Sequence, residues 1–146
     1  MRKAARAIII EDNKMLLMHR EKEGHSYYTL VGGKINDNED KEEALKREVK
    51  EETGLDIIEC KLVFIEEHPE PYNEQYTYLC KVAPHTKIGL QLTSEEALMN
   101  KAGINMHTPL WIEVNHFKNI PFRTVQLQSA IRDAITNGFP EKSVKI

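Results

Sequence analysis

The chain has 146 residues and a formal net charge of -3 at pH 7. The absence of a basic excess argues against a surface that tracks the phosphates of a nucleic acid polymer, and no stretch approaches the roughly 20 apolar residues of a membrane span. A chain of this length is expected to form one domain, residues 1–146, that buries roughly 68–70% of its unfolded surface and needs no disulfide or metal merely to fold.

The opening "MRKAARAIIIEDNK" has basic residues followed by an apolar run, but the run ends at Glu11 and Asp12. It is too short for the apolar core of a signal peptide, so a cytoplasmic location is expected. Arg6 to Ile10 and Met15 to His19 are β-like runs around the turn "EDNK", which predicts a hairpin. "SYYTLVGG" then reads as a short strand running into the paired glycines Gly32 and Gly33.

Next comes "NDNEDKEEALKREVKEETGL". Asp40 can cap a helix, with Glu43 three residues on as its capping-box partner, and Gly54 suits the left-handed position that closes the other end. The spacing predicts a helix over Lys41 to Thr53. Leu45 and Val49 would face the core, with Glu48, Glu51 and Glu52 beside them on the same side. Glu42 with Lys46 and Glu43 with Arg47 are favourably ordered outer pairs, whereas the inner three lack basic partners at helical spacing. On that account neutralising Glu52 should leave the metal-free protein as stable or make it more so.

Downstream, "LDIIECKLVFIEEH" and "NEQYTYLCKVA" alternate apolar and polar residues with period two and are expected to be neighbouring strands. They carry the two cysteines, Cys60 and Cys80, which form no metal-ligand spacing and read as reduced, buried thiols. "TSEE" before "ALMN" reads first as a helix-starting capping box. "TPLWIEV" is a further strand candidate. In "TVQLQSAIRDAITNGF", Val125, Leu127, Ala130, Ile131, Ala134 and Ile135 fall near helical spacing and Gly138 follows the end, which predicts a C-terminal helix. His25, His68, His85 and His107 show no ligand-like spacing and read as surface or loop residues.

From Gly33 the pattern is glycine, five residues, glutamate, seven residues, then R-E-U-x-E-E-x-G-U, where U is bulky and apolar. Gly33, Glu39, Arg47, Glu48, Val49, Glu51, Glu52, Gly54 and Leu55 fill its defined positions. This resembles the signature of the Nudix hydrolase family. The hairpin start, the "GGK" before the helix and the late "WIEV" strand ahead of a C-terminal helix extend the likeness over most of the chain. One departure is Val31, where many members place proline before the two glycines.

The resemblance implies an α/β/α sandwich with a mixed sheet. It implies hydrolysis of a phosphoanhydride bond in a nucleoside diphosphate linked to another moiety: a nucleoside triphosphate, ADP-ribose, a nucleotide sugar or a dinucleoside polyphosphate. Glu48, Glu51, Glu52 and Arg47 would form the catalytic set. Glu48, Glu51 and Glu52, with the Gly33 carbonyl, would hold Mg²⁺ or Mn²⁺, hard ions suited to clustered carboxylate oxygens. Arg47 would support the site by pairing with Glu39. Glu48 is the first choice of general base, with Glu95 and Glu96 in reserve.

Arg6, Arg20, Tyr27, Tyr28 and Tyr72 are candidates for contacting phosphate or a base, although aromatic residues flanking strands more often belong to core or rim. In the family some ADP-ribose hydrolases carry a proline, and some dinucleoside polyphosphate hydrolases a tyrosine, shortly beyond the box. Pro69, Pro71 and Tyr72 point both ways. The expected partner is a small-molecule nucleotide, with no nucleic acid polymer or membrane, and the protein a monomer or homodimer. The competing reading is a nucleotide-binding module on the same fold without turnover.

Overall fold

The computed structural model describes residues 2–67, 69, 71–85 and 106–146. In chain order these form β1 (Lys3–Ile8), β2 (Ile10–Glu11), β3 (Lys14–Lys22), β4 (His25–Lys34), α1 (Lys41–Thr53), β5 (Ile57–Glu67), β6 (Glu74–Val82), β7 (Met106–Glu113), a 3-10 turn (Val114–Asn119), α2 (Val125–Asn137) and β8 (Val144–Lys145). Glu95 and Glu96 lie outside the described residues, as does His68.

The expected first hairpin is present. Ile10 pairs with Met15 and Glu11 with Lys14, and Asp12 and Asn13 between them have φ of 50° and 64°. Both central residues are left-handed, the conformation that matches the twist of the flanking strands and that Asp and Asn tolerate. A second hairpin, not anticipated, joins β3 to β4 through Glu23 and Gly24, with Lys22 opposite His25. β4 therefore begins before the expected "SYYTLVGG".

β4 changes partner along its length. Its first half pairs antiparallel with β3, and its last residues, from Val31 on, pair antiparallel with β1. β1 pairs parallel with β6, β6 antiparallel with β5, and β5 parallel with β8, so the sheet is mixed. β7 runs antiparallel along β3; Leu17 accordingly faces Leu30 on one side and Leu110 on the other.

Two cores cover the two faces. Ala5 and Ala7 of β1 and Leu16 and Met18 of β3 pack with Leu45 and Val49 of α1. Their chain neighbours Ile8, Met15 and Leu17 pack instead with Leu127, Ile131 and Ala134 of α2. Strands buried on both faces explain the near-continuous apolar runs "AIII" and "MLLM". The result is the expected α/β/α sandwich. Truncating Leu45, fully buried between α1 and the sheet, would cost about 2–5 kcal/mol. Among the described residues no helix is long and apolar enough to cross a membrane.

Candidate active site

The inner face of α1 meets the end of β4. Asp40 caps the helix by accepting the Glu43 N–H at 2.8 Å, and Gly54 closes it at φ 79° with its N–H on the Lys50 carbonyl. These caps fix the helix register, which places Glu48 and Glu52 against the two glycines. Gly32 has φ 130°, and a Cβ there would lie 2.1 Å from the Ala5 carbonyl oxygen. At Gly33 a Cβ would come within 2.7 Å of the Glu48 carboxylate. Only glycine lets strand and carboxylate approach this closely.

Glu52 is fully buried, and its Oε1 accepts the Gly32 N–H at 2.6 Å. Its Oε2 lies 3.9 Å from Nη2 of Arg20 on β3.

Arg47 holds the other carboxylates. Its Nε and Nη2 donate to both oxygens of Glu39 at 2.6 and 2.9 Å, and Nη2 also donates to the Lys34 carbonyl at 3.0 Å. Nη1 lies 3.0 Å from Glu48 Oε1 and 3.5 Å from Glu51 Oε2. The bidentate pair holds the Glu39 carboxyl below its ordinary range and raises the Arg47 pKa.

The expectation that the inner carboxylates lack basic partners is therefore corrected. Arg47 serves Glu48 and Glu51, and Arg20 approaches Glu52 from the sheet. Arg47 and Glu51 are four residues apart, so that pair was open to the helical spacing; the sheet residue Arg20 and the reach of Arg47 to its neighbour Glu48 were not.

Among the described residues no three carboxylate, imidazole or thiol groups stand close enough together to hold a metal ion. The donor chemistry still fits a hard divalent cation. Three carboxylates share one face of α1, and a glycine of β4 admits close approach to Glu48.

On the other side of Gly32 lies a cleft lined by Arg6, Arg20, Lys22, Tyr27, Tyr72 and Arg123, among others. Pro69 and Pro71 belong to its wall. Among the described residues it has no carboxylate in its lining. Arg20 is anchored by its Nε on Thr29 Oγ1 at 2.9 Å. Arg123 stands 4.0 Å over the Tyr27 ring, and Arg6 5.8 Å from the centre of the Tyr72 ring. Arg123 and Thr124 reach the cleft because the backbone of 121–123 is hydrogen-bonded to Tyr28 on β4. Of the candidates named from sequence, Arg6, Arg20, Tyr27 and Tyr72 thus line the cleft, whereas Tyr28 packs against the α2 core. Lys22 and Arg123 carried no sequence signal.

Of the histidines read as surface or loop residues, His107 departs from that reading, while His85 lies in a loop. His107 is buried on β7 opposite Arg20, and burial followed by Arg20 lowers its pKa to about 4. His85 lies 2.7 Å from Glu11 and stacks on Trp111. Cys60 and Cys80 are free and face each other across β5 and β6. Burial raises the Cys60 thiol pKa to about 11 and the Cys80 thiol further.

A family model described as the NUDIX domain matches residues 1–122. An 8-oxo-dGTP diphosphatase of Proteus vulgaris is 36% identical over 70 residues, covering 47% of this chain and 62% of that protein. Nudix hydrolase 2 of Arabidopsis thaliana is 27% identical over 142 residues, covering 90% and 48%. The chain thus spans between 48% and 62% of the length of these curated relatives. Among solved structures, the ORF135 protein of E. coli superimposes with a TM-score of 0.67 over 94% of this chain and 92% of that one, at 19% identity, a likeness of fold.

Proposed function

The chain belongs to the Nudix family, and on that footing we propose that it is a pyrophosphohydrolase of small nucleotides. The bond cleaved would be a phosphoanhydride in a nucleoside diphosphate linked to another moiety. The observation that carries this reading is that carboxylates and cleft cations meet at the end of β4: Glu48 lies against Gly33 and Glu52 accepts the Gly32 N–H, while Arg6 donates to the Gly32 carbonyl and Arg20 stands 3.9 Å from Glu52. A phosphoanhydride laid across the glycines would have carboxylates on one side and guanidinium groups on the other.

Glu48, Glu51 and Glu52, with the Gly33 carbonyl, would hold Mg²⁺ or Mn²⁺. When bound, the ion supplies charge neutralisation at phosphoryl oxygens and acidifies water. Glu48 is our choice for the group that takes the proton of the attacking water, because its carboxylate lies against Gly33. Arg47 is a positioning residue that ties the loop before α1 to the helix. Arg20 and its cationic neighbours would draw the nucleotide's phosphates into the cleft, and Tyr27 and Tyr72 would offer flat faces to a base.

We take residues 1–146 as one domain, because α2 lies beyond the matched residues yet closes the second core. Nucleotide substrate and opposed reduced thiols suit the cytoplasm.

The test is a phosphate-release screen over 8-oxo-dGTP, normal nucleoside triphosphates, ADP-ribose, nucleotide sugars and dinucleoside polyphosphates, each with Mg²⁺, with Mn²⁺ and with excess EDTA. The Proteus vulgaris relative's name puts 8-oxo-dGTP first. The expected result is turnover of at least one class with metal and none with chelator. Undiminished turnover by verified metal-free protein would overturn the mechanism, and saturable nucleotide binding with no turnover would favour the binding-module reading.

A further inference from the structure

We propose that Arg6 is a substrate-binding residue, which donates from the floor of the cleft to a phosphoryl oxygen of the nucleotide. The assignment rests on the reading of the cleft as the nucleotide's seat. Arg6 sits in the middle of β1 and is 7% exposed, with its open side lining the cleft. Its Nε donates to Gln75 Oε1 at 3.0 Å, and its Nη1 to the Gly32 and Leu30 carbonyls at 2.9 and 3.4 Å. Every one of these acceptors is neutral.

A buried cation is ordinarily matched by a carboxylate in hydrogen-bond contact. A carboxylate is at hand, yet kept one link away. Gln75 Nε2 donates to Glu66 Oε1 at 2.8 Å, and Thr124 Oγ1 donates to Glu66 Oε2. Glu66 and Gln75 are 4% and 6% exposed, so solvent does not explain the arrangement. The Gln75 amide can point only one way, oxygen to Arg6 and nitrogen to Glu66. A neutral amide therefore separates Arg6 from the nearest hydrogen-bonded carboxylate of its network. Burial and then Arg20 lower the Arg6 pKa, with Tyr72, Glu52 and Glu48 acting the other way, and the guanidinium stays charged. An anionic ligand would relieve this excess.

The same network sets the distance from Arg6 to the acidic face. The Gly32 carbonyl accepts from Arg6 while the Gly32 N–H donates to Glu52. One residue thus fixes the guanidinium relative to the carboxylates of α1, and a phosphoryl group over Gly32 would meet both.

The decisive variant exchanges the two relay residues, Glu66→Gln together with Gln75→Glu. Its net charge and shapes are those of the parent, and each hydrogen bond of the relay can form again. The only change is that the carboxylate now touches Arg6. A purely structural network would tolerate this or gain stability from the direct ion pair. If Arg6 binds substrate, neutralising it should raise KM, and the Kd for inorganic pyrophosphate measured with Mg²⁺, by about tenfold, the effect of losing one charge-assisted hydrogen bond. The melting temperature should hold and kcat should move far less. Should the exchange not fold, Arg6→Lys serves instead. An ammonium cannot hold Gln75 and Gly32 and also present a second donor to ligand, so KM should rise there too.

Unaltered KM and Kd in the folded variant, with an active parent, would overturn the Arg6 assignment and leave the functional reading standing. A parent that binds no pyrophosphate and turns over no nucleotide would overturn both.

Discussion

On the α1 side of Gly32, carboxylates are held by guanidinium nitrogens, Glu48 and Glu51 by Arg47; on the cleft side, the Arg6 guanidinium is held by neutral oxygens. Two clusters of opposite charge, each satisfied differently, meet at one strand end. On the acidic side each of these carboxylates has a guanidinium beside it, and Glu48 packs against Gly33. The basic side carries surplus charge and is built to receive an anion. If that contrast is right, substitutions on the two sides should separate catalytic rate, stability and binding.

The largest effect is expected on the acidic side. Arg47→Lys retains the charge but loses the paired bonds to Glu39 and the bond to Lys34, so the loop before α1 and the Glu48 carboxylate should both shift. We expect kcat/KM to fall about tenfold or more, mostly in kcat, because geometry at the scissile bond is what changes. Steady-state kinetics on the substrate found in the screen would check it. A variant with parental kcat and KM would show that Arg47 does not position the site.

Next is the seam between the two sides. In an isolated helix, neutralising Glu52 would relieve repulsion from Glu48 and Glu51. The structure gives the opposite sign, since Glu52 is fully buried beside Arg20 and accepts the Gly32 N–H. Glu52→Gln can keep that acceptor but removes the charge facing Arg20. We expect metal-free protein to lose about 1–3 kcal/mol. Mg²⁺ should also stabilise the variant less than the parent, which gains RT ln(1 + [L]/Kd). Melts of both proteins with and without Mg²⁺ would check this; an apo variant as stable as the parent would mean that Arg20 and Glu52 are not coupled.

Where the sequence was legible follows from the range of the interactions. α1 was placed at Lys41 to Thr53 because Asp40, Gly54 and the apolar spacing are local signals. The acidic face and the Glu39–Arg47 pair lie within one short segment, so a sequence motif records them. The cleft is assembled from afar. Arg6 and Gln75 are 69 positions apart, and Glu66 and Thr124 are 58. Nothing at any one of them announces the others, and Gln75 and Glu66 read as ordinary members of alternating strands. The β3–β4 hairpin was missed because "EKEG" lacks an Asn-Gly or Asp-Gly turn signature. His107 was misread for a related reason. "TPLWIEV" begins after it, but pairing with β3 carries the strand back to Met106, and so draws His107 under Arg20.

His107 gives the smallest effect, on the cleft side. Buried opposite Arg20, it stays neutral down to about pH 4, against an ordinary value of 6.5. Between these values an unfolded chain binds a proton that the folded chain does not. Its contribution to stability is thus intact above pH 6.5 and is lost as pH falls towards 4, with no further loss below. Glu39, whose pKa is also depressed, acts in a lower window, beginning near its ordinary value of 4.5. The two are therefore separable by comparing the parent with His107→Gln. From pH 6.5 to 5 the parent should lose roughly 1 kcal/mol or less per pH unit relative to that variant. Parallel melting curves across that interval would mean that His107 is protonated in the folded state and that the cleft tolerates one more cation beside Arg20, which would weaken the case that its charge is held in reserve for an anion.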